Sequence, residues 1–249
     1  MNNIKLPISI GILSWKSSAL EDTLYSYKDN GLFDMVEDIC IFFQEPSKAD
    51  YALAYEYGIR TLQSKINIGI GHAFYILSNM MNSQYFIPME HDWKLIEDEE
   101  TTYSRLLGGI KLLEGDIDIV RYRHKEIPGF PHTSFRYRGK ELELEDKWHP
   151  GKINPHLLDS IHWVNPSECF PDKIQKIDDW FITNTRWATW TNNPCMYNRK
   201  FYKDFIEPHR GIEIDLEYNI SKVWHDFDFR IAQGNGLFTH CDIKKYGTC

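Results

Sequence analysis

The chain has 249 residues, is 42% hydrophobic and carries a formal net charge of -8, enough apolar material for one large or two small domains with a proper core. That acidic balance, with no run of Lys and Arg, argues against nucleic acid as the main partner, because proteins that grip its backbone are basic on at least one face. The five cysteines (Cys40, Cys169, Cys195, Cys241, Cys249) form neither a paired ladder nor a Cys-x-x-Cys metal knuckle, and their odd number leaves a thiol free in any intramolecular scheme, which points to a reducing compartment.

The opening MNNIKLPISIGILSW places one lysine before a short apolar run with no small-residue cleavage site, so it reads as a strand rather than a signal peptide. No apolar stretch is long enough to span a bilayer, and the expected setting is cytoplasmic, with peripheral membrane attachment left open. Ile8 to Leu13, short and rich in β-branched residues, predicts a buried strand. Ser18 with Glu21 three positions later predicts a capping box for a helix through Leu20, Leu24 and Tyr27 that stops near Gly31. Val36 to Phe43 follows as a strand, Asp50 to Tyr57 as a short helix ended by Gly58, and Ile59 to Leu62 as a third strand. The segment from Asn67 to Gly71 opens a helix with Ala73, Phe74, Leu77 and Met81 on one side. Tyr85 to Met89 is a fourth strand, a helix carries Leu106, Leu107, Ile110 and Leu113, and Ile117 to Tyr122 closes the series as a strand.

Strands alternating with helices at this spacing imply βαβ crossovers and a mostly parallel sheet, hence an α/β fold. Ligands of such sheets bind beyond the carboxyl ends of the strands. Ser14 and Trp15, Gln44 and Glu45, and Glu90 to Trp93 all sit at such ends.

From about His124 to Trp163 the chain turns rich in Pro, Gly, His and aromatics, predicting long ordered loops. Helical patterns return near Lys173 to Phe181, Arg199 to Phe205 and Leu216 to Phe227, before a final strand that precedes His240. The chain divides into residues 1–123 and 124–249, within a single domain and without a clear linker.

The strongest local signal is Tyr85-Phe-Ile-Pro-Met-Glu90-His-Asp92-Trp93. Two positions apart on an extended chain, Glu90 and Asp92 point the same way. Converging carboxylates suit a hard divalent cation such as Mg²⁺ or Mn²⁺, which completes its shell with phosphates and water; taken alone, the pair is also what a solvated acidic turn contains. Gly69 and Gly71 at a helix start free backbone N–H groups for an anion, or serve only a tight turn. The acidic run Glu97 to Glu100 suits a first helical turn. Trp187 and Trp190, beside Asn192 and Asn193, offer a stacking platform for a sugar, although most tryptophans are core anchors. His124, His132, His149, His156 and His162 lack zinc-type spacing and read as loop residues.

Four stretches in order resemble the family 2 glycosyltransferases, inverting enzymes of the GT-A fold: Pro7 to Trp15; Tyr57 to Arg60 with Asn67 to Ala73; Tyr85 to Asp92; and Leu112 to Glu114 through Asp118 to Arg121. The resemblance implies a Rossmann-like domain with a mostly parallel sheet flanked by helices, and transfer from a nucleotide-sugar donor, bound by residues 1–123, to a carbohydrate, glycoprotein or glycolipid acceptor, whose site and catalytic base residues 124–249 supply. It implies donor contacts at Ser14, Trp15, Glu45, Asn67, Gly71, His72, Glu90, His91 and Asp92, with Trp15 stacking and Glu45 accepting from ribose or uracil. Glu90 and Asp92 stand at its D-x-D metal motif, and late histidines in such enzymes make His240 a further ligand. Glu217, with Asp215 second, matches the position of the base that takes the acceptor hydroxyl's proton. Glu90 replaces the usual first Asp, His72 stands where the family often has Arg, and the usual adjacent Glu-Asp pair is absent. A sugar-phosphate nucleotidyltransferase and an inactive GT-A domain that binds sugar or a partner are the rival readings.

Overall fold

The computed structural model describes residues 5–129, 133–135, 161–163, 165–210 and 216–241. In chain order β1 (Leu6–Trp15), α1 (Leu20–Asp29), α2 (Leu32–Met35), β2 (Val36–Gln44), α3 (Lys48–Glu56), β3 (Arg60–Ser64), α4 (Ile70–Met80), β4 (Tyr85–Glu90), β5 (Trp93–Leu95), α5 (Glu99–Glu114) and β6 (Ile119–Arg123) make the first half. The second half adds β7 (Thr133–Phe135), β8 (Ile161–Trp163), α6 (Pro166–Cys169), β9 (Gln175–Ile177), β10 (Trp180–Asn184), β11 (Cys195–Asn198), α7 (Arg199–Phe201), α8 (Leu216–Ser221) and β12 (Arg230–His240).

One sheet dominates, in the order β3-β2-β1-β4-β11-β6-β12-β10-β9, with β5 paired to β12. β3, β2, β1, β4, β6 and β12 all run the same way, while β11 lies antiparallel between β4 and β6. Second-half strands therefore sit inside the first half's sheet. β1 is buried along nearly its whole length, as expected of a strand covered on both faces. Ile8, Ile10 and Ile12 face one cluster with Tyr27, Met89, Trp93 and Phe238; Leu13 faces another, with Phe74, Leu77, Trp190 and Trp224. Alternation along β6 sends Val120 and Tyr122 to the first face and Ile119 to the second. Among the described residues no helix is long and apolar enough to cross a membrane.

The order of elements follows the sequence pattern, and the departures have physical reasons. α1 has no capping box: its N-cap is Ala19, already in right-handed helical geometry and without a side-chain cap, and Ser17 Oγ accepts from the Ala19 N–H instead. The box sits at α3, between Ser47 and Asp50. Lys173 to Phe181 is a β-hairpin, not a helix, with β9 antiparallel to β10. Asp178 turns it at φ 51°, a conformation short polar side chains tolerate. The pattern from Leu216 breaks after Ser221 and ends in a 3₁₀ turn at Trp224–Asp226. Cys40, Cys169 and Cys195 are free thiols, as the odd cysteine count requires of at least one, and Cys241 is disulfide-bonded.

Candidate functional site at the strand ends

A pocket opens at the carboxyl ends of β1, β4 and β12, lined by Trp15, Lys16, Glu90, His91, Asp92 and His240 among others. Parallel β1 and β4 finish together, with Leu13 opposite Glu90, and antiparallel pairing of β12 with β5 puts His240 opposite Trp93. Three segments far apart in sequence thus deliver their terminal side chains to one place.

His240 Nε2 lies 3.2 Å from Asp92 Oδ2. The His240 ring packs on Trp93 at 4.6 Å between centroids, and the Arg123 guanidinium lies over Trp93, 5.3 Å from its centroid. Asp92 Oδ1 is buried and has no hydrogen-bond partner. Burial acts to raise the Asp92 pKa, but the His240 hydrogen bond and the charges of His240 and His91 outweigh it, holding the carboxyl below its ordinary value. Glu90 goes the other way: burial, then the Asp92 charge, push it up to about 8, and the Glu217 charge adds to the rise. His91 Nδ1–H donates to the Leu13 carbonyl at 3.3 Å, tying the acidic turn to β1.

At the rim, Trp15 is 41% exposed. Its Nε1–H donates to Glu45 Oε2 at 3.0 Å, and Lys16 Nζ meets the same oxygen at 2.5 Å. The hydrogen bonds from Lys16 and Trp15 hold the Glu45 carboxyl below its usual range. The ends of β1 and β2 are thereby joined by an indole, an ammonium and a carboxylate.

Ser14 is buried at the end of β1 beside this pocket's Trp15. Asn67 Oδ1 accepts from the Gly69 N–H at 2.8 Å, and Ile68 N–H donates to Gln44 Oε1 at 2.6 Å, which fastens the start of α4 to the end of β2. A Cβ on Gly71 would lie 2.6 Å from the Arg210 carbonyl oxygen, so its glycine serves close packing. His72 is half-buried on the first turn of α4. Asn67, Gly71 and His72 do not line the pocket that holds Glu90 and Asp92.

Glu217 stands exposed in the first turn of α8, and its Oε1 accepts the Asn192 N–H at 2.8 Å. Asp215 lies outside the described residues. Trp190 is a core residue rather than a sugar platform: it is 8% exposed, stacked on Tyr197 and edge-on to Trp224. Trp187 is half-buried beneath Lys173 Nζ, 4.0 Å from its ring centroid. In the acidic run, Asp98 caps α5, but Glu97 instead joins Arg105 and the buried His124, each at 2.7 Å. His124 is therefore part of a hydrogen-bonded cluster with Glu97 and Arg105. His132, His149 and His156 lie outside the described residues.

Among the described residues, no group of three or more His, Cys, Asp or Glu side chains is arranged to enclose a metal. A cation of the Mg²⁺ type needs no such cage when one or two carboxylates and substrate phosphates serve it. The buried, unpartnered Asp92 oxygen beside His240 and Glu90 fits that kind of donor set.

No family model matches the chain, and no curated protein matches it in sequence. The structure is similar to S. aureus TarS residues 1–349, at TM-score 0.54 and 11% identity, over 97% of this chain and 61% of that one. It is also similar to glucosyl-3-phosphoglycerate synthase from Mycobacterium tuberculosis in complex with Mn²⁺, UDP and phosphoglyceric acid, at TM-score 0.51 and 15% identity, over 96% of this chain and 73% of that one. A complex of that synthase with Mg²⁺ and UDP gives TM-score 0.50 and 15% identity, over 94% and 71%. The chain has the GT-A fold of these proteins. It spans 61% of the length of the TarS fragment it matches.

Proposed function

We propose that this chain is a metal-dependent glycosyltransferase that moves a hexosyl or pentosyl group from a nucleoside-diphosphate sugar to an acceptor hydroxyl with inversion. The observation that carries the reading is the meeting of Trp15, Glu90, Asp92 and His240 in one pocket at the strand ends, with a buried Asp92 oxygen lacking a partner. Structural neighbours crystallised with UDP and Mn²⁺ or Mg²⁺ support it.

In this reading Trp15 stacks on the base and Glu45 accepts from ribose or uracil. Ser14 and His91 complete the donor surroundings, whereas Asn67 and Gly71 fasten and pack the start of α4 and His72 stands on its first turn, outside that pocket. Asp92, His240 and Glu90 would hold Mn²⁺ or Mg²⁺, with Glu90 losing the proton that its raised pKa retains in the free protein. When bound, such an ion supplies positive charge against a departing diphosphate. Glu217, or Asp215 beside it, takes the acceptor hydroxyl's proton as that oxygen attacks the anomeric carbon. The new C–O bond forms while the sugar–phosphate bond breaks and the nucleoside diphosphate leaves with the bonding pair. The acceptor is a carbohydrate, glycoprotein or glycolipid. A nucleotidyltransferase would want several basic residues directly after the first strand, and Ser14 to Ser18 supplies only Lys16, which favours sugar transfer over that rival.

The experiment is a thermal shift with UDP, with and without Mn²⁺, paired with free glucose release from UDP-glucose. Mn²⁺-dependent stabilisation together with hydrolysis is expected. Pyrophosphate release from UTP and glucose 1-phosphate would favour the rival instead.

A further inference from the structure

Arg121 sits in the middle of β6, 2% exposed, with Cys195 of β11 on one side and Gln233 of β12 on the other. A guanidinium at such a place is costly, and replacing a buried ion by an apolar side chain of similar volume is often neutral or stabilising. Stability alone therefore does not explain it. Its Nη2 donates to the Thr189 carbonyl, in a segment also held by the packing of Trp190 on Tyr197 and Trp224 and by bonds at its flanks. There, Trp224 Nε1–H donates to the Ala188 carbonyl at 2.8 Å, and Tyr122 N–H donates to the Pro194 carbonyl at 2.8 Å. Three residues beyond Thr189, the Asn192 N–H meets Glu217 Oε1.

We infer that Arg121 is a positioning residue for Glu217: it braces the Thr189–Asn192 segment so that the Asn192 N–H aims the carboxylate at the reacting hydroxyl. The inference rests on the proposed role of Glu217 as base. Backbone N–H donation commits one carboxylate oxygen, so the rotamer freedom of an exposed Glu is restricted before the acceptor arrives. Small misplacements of a catalytic group cost rate rather than affinity. The device acts through a carbonyl and an amide, and neither depends on which side chains occupy positions 189 and 192.

The test is steady-state UDP-glucose hydrolysis with Mn²⁺, water standing in for the acceptor. Arg121→Met is expected to lower kcat about tenfold with KM for UDP-glucose within about twofold, and Arg121→Lys, which can still donate to Thr189, to recover most of it. In a Glu217→Gln background, Arg121→Met should cost nothing more. Unchanged kcat in Arg121→Met, or a loss that simply adds to that of Glu217→Gln, overturns the inference. Should Arg121→Met not fold, Asn192→Pro deletes the N–H while Asn192→Ala keeps it; only the proline variant should lose kcat, and equal behaviour of the two overturns the inference. Glu217→Gln hydrolysing at the wild-type rate, or a wild-type chain that releases sugar from none of a panel of UDP-, GDP- and dTDP-hexoses and pentoses, removes instead the reading of Glu217 on which the inference stands.

Discussion

Asp92 and His240, 148 positions apart in the chain, meet at 3.2 Å with the far oxygen of the Asp92 carboxyl left buried and unpartnered. An orphaned carboxylate oxygen costs on the order of 1–3 kcal/mol or more, and a bound cation would repay it. Asp92→Asn keeps the shape and removes the charge. Stabilisation by UDP with Mn²⁺ should then fall to that given by UDP alone, read as the shift in melting temperature; an undiminished Mn²⁺ effect would move the cation elsewhere.

Glu217→Gln should separate binding from chemistry. The amide still accepts from the Asn192 N–H but takes no proton, and general-base catalysis contributes roughly 10²–10⁴-fold. The expected result is a kcat loss in that range with UDP affinity unchanged. A fully active variant would hand the role to Asp215.

Trp15→Ala removes both the exposed indole face and one of the two hydrogen bonds to Glu45. Stacking of a base on an aromatic ring contributes roughly 1–3 kcal/mol. UDP should bind about tenfold more weakly by calorimetry, while inorganic pyrophosphate, which has no base, should bind as before. Equal weakening of both would show that Trp15 supports the loop rather than the nucleotide.

The strand ends that carry this site were legible because β1, β2 and β4 are short apolar runs whose last residues change to polar. Glu90 and Asp92 could be placed at a strand tip from that switch alone. The sheet order was less open to view: β11 has only four residues and inserts antiparallel between β4 and β6, a pairing set by tertiary packing. The hairpin at Gln175–Asn184 was misread because Ile174, Ile177 and Phe181 repeat at helical spacing, while the turn depends on Asp178 adopting φ 51°. The bond between Asn192 and Glu217 had no side-chain signature, since its donor is a backbone amide. Arg121 lay within a matched segment, and nothing in its neighbours marked it as buried.

Gly236 lies where β12 shifts register against β6 between Gln233 and Phe238. Its φ is 80°, and a Cβ there would sit 2.2 Å from the Arg123 carbonyl oxygen. Gly236→Ala should cost at least 1–3 kcal/mol, through strain at a left-handed φ and displacement of the β6 backbone. Chemical denaturation measures it. A change below about 0.5 kcal/mol, the size typical of neutral surface sites, would mean that the bulge rearranges freely.

Lys125 gives a pH dependence with a defined sign. It is 8% exposed, with its Nζ 3.8 Å from the Phe181 ring centroid. Burial, then the neighbouring Lys176 charge, bring its pKa down to about 8. The unfolded chain, with an ordinary lysine pKa near 10.4, therefore binds more protons than the folded one between about pH 8 and 10, so this group makes the fold more stable as pH rises through that window. Lys125→Met removes the contribution. Subtracting the variant's unfolding free energy from the wild type's should give a difference that climbs by on the order of 1–2 kcal/mol from pH 8 to pH 10. A flat difference would mean that the ammonium reaches solvent in the folded state, and a falling one would reverse the sign of the shift.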